Sequence, residues 1–253
     1  MSKFNEPKID NLNVYTNSKT VEYYDQLTGL EPCENYVFSK YIAPNIEVLD
    51  IGVGGGRTTP YLSSDNRQYS GVDYSSAMTE VCRKKFPALS FHTLDASDLS
   101  FFENSKFDAV VFSFNGIDCL YPDEQRMKCL EQINGVLKAD GMFIFSVHNA
   151  RAFLIRPQLD SVDIARKIWR LLRTTKSFPL LFRQLCRKAF YKGVGYIIDP
   201  IHGGHLMHTS IPQFVKEELA KANFRVLEVV SSNYPVHSGE YTSPWYYYVA
   251  QKQ

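Results

Sequence analysis

The sequence predicts an α/β fold: a doubly wound, seven-stranded, mostly parallel sheet whose last strand is antiparallel. Three observations lead to this prediction. Short apolar, β-branched segments alternate with helical segments between residues 46 and 149. Four glycines follow the first of these segments, where a buried strand would end. The alternation stops after residue 149 and two further strand segments close the chain, so we predict a helical cap inserted after strand five.

The seven strands are predicted from runs of β-branched and aromatic residues, and the helices from a 3.6-residue apolar period. Residues 1–16 show no period and are expected to be a loose arm, followed by helices at 20–27 and 31–42. A helix is expected to open at Arg57, and further helices span 76–86, 122–137 and 212–222. The predicted strands are 46–51, 67–74, 89–94, 107–114, 142–147, 224–231 and 245–251.

Composition narrows the class of protein. With 253 residues, of which 44% are hydrophobic, the chain can bury one large core. The N-terminal residues are polar and no apolar run approaches the roughly 18 residues of a membrane span, so no signal peptide or spanning helix is expected. Five scattered cysteines without a C-x-x-C pair indicate free thiols in a reducing compartment, and we expect a cytoplasmic protein.

The glycine-rich segment has the spacing acid-x-Gly-x-Gly-x-Gly, formed by Asp50, Gly52, Gly54 and Gly56. Glycines at a strand end let backbone N–H groups approach a ligand. A dinucleotide fingerprint would need glycine where Arg57 stands, and no Gly-Lys-Ser/Thr follows as in a phosphate-binding loop. The segment resembles the first motif of the class I S-adenosylmethionine-dependent methyltransferases, and Asp50 would suit the ammonium group of that cofactor.

A second acid, Asp73, ends strand two about 20 residues after the first glycine, where an acid can accept from both ribose hydroxyls. Ser75 is expected to cap the next helix. Met78 in that helix could pack on the adenine ring or simply belong to the core. The resemblance implies a role near the adenine for the Asp95-Ala96 pair.

The segment after strand four occupies the place where the resembled family meets the methionine part of the cofactor and the acceptor. The residues that we expect to bind S-adenosylmethionine are therefore Asp50, Gly52, Gly54, Gly56, Arg57, Asp73, Tyr74, Met78, Asp95, Ala96, Ser113, Phe114 and Asn115. Tyr23 or Tyr24 would face the acceptor from lid helices.

Methyl transfer to a hydroxyl needs a group that removes a proton near neutral pH, and histidine suits that task. His148, at the end of strand five, is the first candidate for the base, followed by Asp118, His205 and His208. A structural hydrogen bond or acceptor positioning is the alternative role. His202, His205 and His208 follow one another at intervals of three residues. No nearby Cys or carboxylate completes a set of metal ligands, so no metal site is predicted.

Positive charge is concentrated between Arg151 and Lys192, which contain eleven Lys or Arg and two Asp, whereas the whole chain has a net charge of +1. Two interpretations are open: a solvated face, or contact with an anionic partner. The predicted acceptor is a small anionic molecule such as a sugar or secondary metabolite, methylated on a hydroxyl or an amine. Peripheral membrane contact through 161–192, RNA methylation along the basic cap, and a non-catalytic cofactor-binding partner protein are the alternatives.

The sequence pattern and the resemblance together predict a division of the chain, in which the cap has no counterpart in the resembled family. We expect an N-terminal arm with lid helices at 1–44 and an S-adenosylmethionine-binding, Rossmann-like core at 45–149. The basic helical cap is expected at 150–203, and the last part of the core sheet at 204–253. After strand four this chain lacks the Pro-Pro-aromatic sequence of enzymes that methylate amino groups of nucleic acids and glutamines, which favours a small-molecule acceptor.

Overall fold

The computed structural model describes residues 11–152, 188–198 and 205–253. Three helices precede the sheet, and the remaining elements follow in chain order. The helices are α1 Asn11–Thr16, α2 Ser18–Gln26, α3 Pro32–Tyr41, α4 Thr59–Leu62, α5 Ser76–Lys85, α6 Asp123–Val136, α7 Lys188–Lys192 and α8 Pro212–Lys221, with a 3₁₀ turn at Gly116–Cys119. The strands are β1 Glu47–Ile51, β2 Gln68–Asp73, β3 Ser90–Thr93, β4 Phe107–Phe112, β5 Leu137–His148, β6 Val194–Ile198, β7 Leu206–Ser210, β8 Phe224–Ser231 and β9 Trp245–Lys252.

Seven strands form one sheet in the order β3-β2-β1-β4-β5-β9-β8. The first five pair in parallel, and β9 is antiparallel to both of its neighbours. Successive strands are therefore added on one side of β1 first, as β2 and β3, and then on its other side, as β4 and β5. The strand order of the sheet reverses at β1. This confirms the predicted fold class, including the antiparallel last strand.

Side chains alternate between the two faces of the sheet, and each face is covered by helices. In β1, Val48 packs with α3, α4 and α5 on one face, while Leu49 packs with α6 and α8 on the other. Both faces of the central strands are therefore buried, which is why these strands are continuously apolar in the sequence. The ligand edge lies at their carboxyl ends, as in other doubly wound sheets.

Several predicted elements need correction. Residues 11–16 form a helix rather than a loose arm, because the Asn11 carboxamide is anchored to the backbone of Leu206 and Cys119. The predicted helix at Arg57 is the four-residue α4, since the glycine turn continues to Thr58. Within the predicted helical cap, β6 is a strand that pairs with β7 as an antiparallel hairpin.

Most of the predicted cap, including residues 153–187, lies outside the described residues, as do His202 and residues 1–10. The two basic amphipathic segments at 162–173 and 180–191 fall largely in this part of the chain. None of the helices in the described ranges has the length and apolar character that crossing a membrane requires.

Candidate cofactor cavity and histidine cluster

A cavity of about 420 Å³ lies at the carboxyl ends of β1, β2 and β4. Its volume is in the usual range for small-molecule sites. Segments from α1 and α2, the glycine turn, the ends of β2, β3 and β4 and the start of α6 enclose it. The lining residues are Tyr15, Tyr24, Leu27, Ile51, Gly52, Val53, Gly54, Gly55, Arg57, Thr58, Asp73, Tyr74, Met78, Leu94, Asp95, Ala96, Phe112, Ser113, Phe114, Gly116, Cys119, Leu120, Tyr121, Pro122 and Gln125.

Ten of the thirteen residues expected to bind the cofactor line this cavity, and Asp50, Gly56 and Asn115 do not. Gly56 has a φ of +83°, and a Cβ there would lie 2.6 Å from the Phe86 ring and 3.3 Å from Cys82 Sγ. This glycine therefore lets the turn pack against α5, and its contribution to the cavity is indirect.

Asp50 lies beneath the glycine turn and is 1% exposed. Its Oδ2 accepts hydrogen bonds from Thr58 Oγ1 at 2.8 Å and from the Tyr69 hydroxyl at 3.0 Å. Burial raises the pKa of Asp50 to about 7, although these two hydrogen bonds oppose the shift. Asp50 thus joins the turn to β2 from behind the cavity.

Asp73 lines the cavity directly. Its two carboxylate oxygens accept the backbone N–H groups of Gly54 at 3.0 Å and Ser75 at 2.9 Å. Burial raises its pKa to about 6, and the two backbone hydrogen bonds oppose the shift. Ser75 caps α5 as predicted, with its Oγ 3.4 Å from the Met78 nitrogen. One carboxylate therefore fixes the glycine turn against the start of α5.

The N-terminal helices cover the cavity through aromatic side chains. Tyr24 lines it, whereas Tyr23 is 48% exposed on the outside of α2. Tyr15 also lines the cavity, and its hydroxyl lies 3.3 Å from Cys119 Sγ and 3.5 Å from His205 Nε2. No local sequence pattern pointed to Tyr15, because Cys119 and His205, which its hydroxyl contacts, are over 100 positions away in the chain.

Glu34 supports Arg57 and Ser113, which line the cavity, and no sequence motif pointed to it. It is fully buried in α3 and accepts hydrogen bonds from both terminal nitrogens of Arg57, from Ser113 Oγ and from the Tyr247 hydroxyl. Burial raises the pKa of Glu34, but these donors outweigh it and hold the pKa below the usual value. Phe114 also packs on the Arg57 guanidinium, at 4.8 Å.

Three of the four predicted catalytic candidates lie together beside the carboxyl end of β5, and none of the four lines the cavity. Asp118 is fully buried and its Oδ2 lies 2.9 Å from His148 Nδ1. His208 Nδ1 lies 3.7 Å from the other carboxylate oxygen, Oδ1. The fourth candidate, His205, is apart from this cluster, against Tyr15.

Arg126 completes the cluster and was not anticipated. This fully buried guanidinium lies 3.1 Å from Asp118 Oδ1 and 2.8 Å from Glu218 Oε1. Burial raises the pKa of Asp118, but the hydrogen bond from His148, the nearby His208 ring and the charge of Arg126 outweigh it and lower the pKa to about 2. Asp118 is therefore ionised at neutral pH and can only accept.

The position of Asp118 fixes the state of His148. Because a carboxylate is an acceptor, the His148 Nδ1 that faces it carries the proton, and Nε2 of the neutral ring is the acceptor. Asn115 Nδ2 lies 3.3 Å from that Nε2. Asn115 follows Phe114 and precedes Gly116, which both line the cavity. His148 is thus one hydrogen-bonded residue away from the cavity wall, with its basic nitrogen on that side.

Comparison with known proteins agrees with this geometry. A family model described as a methyltransferase domain matches residues 48–141. The matched part contains the glycine turn, Asp73 and the segment after β4. Together with the seven-stranded sheet, this match confirms the predicted resemblance to the class I S-adenosylmethionine-dependent methyltransferases.

Curated relatives point to the same class. The chain is 28% identical over 152 residues to an uncharacterised methyltransferase of Oceanobacillus iheyensis, covering 59% of this chain and 63% of that protein. It is 24% identical over 134 residues to a putative methyltransferase of Bacillus subtilis, covering 50% of this chain and 53% of the relative. The alignments thus span less than two thirds of these relatives' length.

Solved structures share the fold over nearly the whole chain. The CcbJ methyltransferase of Streptomyces caelestis superposes with a TM-score of 0.64 at 17% identity, covering 94% of this chain and 98% of that one. The 1,6-didemethyltoxoflavin-N1-methyltransferase of Burkholderia thailandensis gives a TM-score of 0.61 at 16% identity, covering 96% and 86%. The latter structure contains 1,6-didemethyltoxoflavin and S-adenosylhomocysteine.

Proposed function

We propose that this protein is an S-adenosylmethionine-dependent methyltransferase that methylates a hydroxyl group of a small molecule. The observation that carries the proposal is the pairing of a small-molecule-sized cavity, in a segment that matches a methyltransferase domain, with a histidine whose basic nitrogen lies 3.3 Å from Asn115, between two residues that line the cavity. The cavity would hold the cofactor. The histidine would accept the proton that the acceptor hydroxyl loses.

The residues of the cavity fit an adenosyl cofactor in their chemistry. Asp73 offers a carboxylate to the ribose hydroxyls, and the buried Met78 offers an apolar surface to the adenine. The glycine turn and Ser113 supply small groups, so a ligand can approach the backbone closely. When bound, S-adenosylmethionine supplies an electrophilic methyl group on a positively charged sulfur.

The chain's own contribution to methyl transfer is to align the acceptor and to remove its proton. In-line alignment to about 3 Å accounts for a large part of the rate in such displacements. Once the acceptor hydroxyl has replaced Asn115 Nδ2 at this nitrogen, His148 Nε2 would accept the hydroxyl proton as the acceptor oxygen gains the methyl group and S-adenosylhomocysteine leaves. Asp118 keeps His148 in the tautomer that this step requires and stabilises the imidazolium that forms.

Two further observations support a small, anionic acceptor. The structurally similar enzyme of Burkholderia thailandensis contains a small heterocyclic molecule, 1,6-didemethyltoxoflavin. In this chain, the excess of Lys and Arg between residues 151 and 192 would attract a negatively charged molecule. We therefore propose a phosphorylated or carboxylated sugar or secondary metabolite as the acceptor class.

The test begins with calorimetric titration of S-adenosylmethionine and S-adenosylhomocysteine into the full chain, followed by assay of S-adenosylhomocysteine release against a panel of hydroxylated anionic small molecules. His148→Ala should keep the affinity for the cofactor and lower kcat by a factor of about a hundred or more, as expected for loss of a general base. His237→Ala, which changes an exposed histidine, is the matched control. An unchanged kcat in His148→Ala would remove His148 from this role, and absence of cofactor binding would reject the proposed activity.

A further inference from the structure

Besides His208 Nδ1 and one Arg126 nitrogen beside Asp118, two buried polar atoms near His148 have no hydrogen-bond partner in the part of the chain that the structure describes. One is an acceptor, Asn115 Oδ1, and the other is a donor, Trp245 Nε1. Asn115 as a whole is 7% exposed. Folded proteins pair the great majority of buried polar atoms, so an unpaired one in a site calls for an explanation such as a missing ligand.

Both atoms belong to one cluster of side chains. Trp245 in β9 is the register partner of His148 in β5, and side chains of such antiparallel pairs are neighbours on one face of the sheet. On the other side of His148, Asn115 Nδ2 lies 3.3 Å from Nε2. The rings of Phe114 and Trp245 are 6.4 Å apart between centroids, at 66°. An unpaired donor and an unpaired acceptor therefore flank the same histidine.

The backbone at this cluster is held in an unfavourable conformation. Phe114 has a φ of 54°, in the left-handed region that bulky side chains rarely adopt, and Asn115 follows it there with a φ of 62°. The Asn115 N–H donates to Ser146 Oγ at 2.7 Å, which fixes this conformation to β5. Strain of this kind is concentrated at ligand sites, where the surrounding structure maintains it.

The proposed chemistry decides which ligand would satisfy these atoms. A single hydroxyl that gives its proton to His148 Nε2 has no proton left for Asn115 Oδ1. A second donor on a neighbouring atom is therefore needed, and one of the two groups must also accept from Trp245 Nε1. Two adjacent hydroxyls meet all three requirements, since each hydroxyl can donate once and accept.

We infer that Asn115 and Trp245 form an acceptor subsite for a ring-bearing 1,2-diol. One hydroxyl takes the place of Asn115 Nδ2 at His148 Nε2, the adjacent hydroxyl donates to Asn115 Oδ1, and the pair accepts from Trp245 Nε1. Phe114 and the indole of Trp245 supply apolar surface for the ring. The inference rests on the proposed function, because it assigns the acceptor class of the same site.

The test uses the indole N–H of Trp245 as a direct probe. The chain has two tryptophans, so Trp169→Phe leaves one indole N–H signal in a proton–nitrogen NMR spectrum, and this signal belongs to Trp245. Catechol and cis-1,2-cyclohexanediol represent aromatic and saturated diols. Phenol lacks the second hydroxyl, and 1,2-dimethoxybenzene lacks both donors.

A diol should move the Trp245 signal downfield in a saturable manner. Phenol and 1,2-dimethoxybenzene should bind at least about tenfold more weakly, because a buried acceptor then stays unpaired. The tighter of the two diols would identify the acceptor ring as aromatic or saturated. A Trp245 signal that moves with neither diol would overturn the inference.

Variants at Asn115 supply the second measurement. Asn115→Gly removes the carboxamide at a φ that glycine adopts readily, and should abolish the preference for diol over phenol. Asn115→Asp keeps an oxygen acceptor and should retain the preference. Tyr248→Phe removes another buried hydroxyl that lacks a partner in the described residues, on the other face of β9, and should change nothing. An unchanged diol preference in Asn115→Gly would also overturn the inference.

The experiment separates this inference from the proposed function, since no methyl transfer is measured. A diol that binds and moves the Trp245 signal, in a protein that never releases S-adenosylhomocysteine, would contradict the proposed function alone. Turnover of an acceptor that leaves the Trp245 signal unmoved would contradict only the diol subsite.

Discussion

Asp118 binds one residue twice: its Oδ2 lies 2.9 Å from His148 Nδ1 and 2.7 Å from the His148 backbone nitrogen. The backbone bond fixes the end of β5, and the side-chain bond fixes the imidazole on it. Arg126 and His208 on the other carboxylate oxygen keep Asp118 ionised. Position and tautomer of His148 therefore depend on a single buried carboxylate.

Asp118→Asn tests this dependence. The amide has nearly the same shape but no charge, so it neither enforces the Nδ1–H tautomer nor stabilises the imidazolium. We expect kcat to fall by a factor of about a hundred or more, with the affinity for S-adenosylmethionine unchanged. Steady-state kinetics and calorimetry on protein shown to be folded by circular dichroism would measure both quantities. Wild-type kcat in this variant would rule out the proposed dyad.

Glu34→Gln should loosen the cavity and destabilise the fold. The change leaves the Arg57 guanidinium, which is 11% exposed, without its charged partner. Removing one member of a buried ion pair costs about 3–5 kcal/mol. Urea unfolding would give the loss in the free energy of unfolding, and calorimetry the loss in cofactor affinity.

The double variant Glu34→Gln/Arg57→Gln provides the control for this prediction. It removes both charges, so part of the stability lost in Glu34→Gln should return. The Arg57→Gln single variant completes the cycle. If the losses in the free energy of unfolding of the two single variants add up in the double variant, the pair is not coupled and Glu34 does not act through Arg57.

Gly55→Ala should displace the N-terminal helices from the cavity. A Cβ at Gly55 would lie 2.2 Å from the Tyr24 carbonyl oxygen and 2.7 Å from Asp25 Cα, and backbone cannot yield as a flexible side chain does. We expect a loss of about 1–3 kcal/mol in the free energy of unfolding, together with weaker cofactor binding. Gly239→Ala is the matched control because a Cβ there meets nothing within 4 Å. If the two variants have equal free energies of unfolding and equal cofactor affinities, α2 does not pack tightly on the glycine turn.

Binding of S-adenosylmethionine should depend on pH through Asp73. Its pKa is raised to about 6, so the carboxylate is mostly protonated below that pH and ionised above it. An ionised carboxylate is the stronger acceptor for ribose hydroxyls, and affinity should therefore rise as the pH passes from about 5 to about 7. Calorimetry over this range would record the slope. The Asp73→Asn variant should bind S-adenosylmethionine more weakly, and its affinity should not change with pH. If the affinity of this variant still rises with pH, another group causes the pH dependence.

The sequence determined the succession of strands and helices along the chain, the ligand edge and most of the lining of the candidate cavity, whereas the order of the strands within the sheet came from the structure. These depend on local patterns, since buried parallel strands read as apolar runs and their carboxyl ends meet at one edge. Asp73, Met78 and Ser113 could be placed in this way because each follows or begins an element that the pattern defines. Asp50 was placed at the correct strand end, but its side chain lies behind the turn, where Thr58 and Tyr69 hold it.

Only the tertiary structure decided which distant residues support these positions. Glu34 and Tyr247, 213 residues apart in the chain, share a hydrogen bond at the cavity. Arg126 reaches Asp118 from α6, and Asn11 reaches Leu206 from α1. No period or motif encodes such contacts, because each depends on how whole elements pack. The sequence thus fixes where a ligand can approach, whereas packing fixes which charges and hydrogen bonds meet it there.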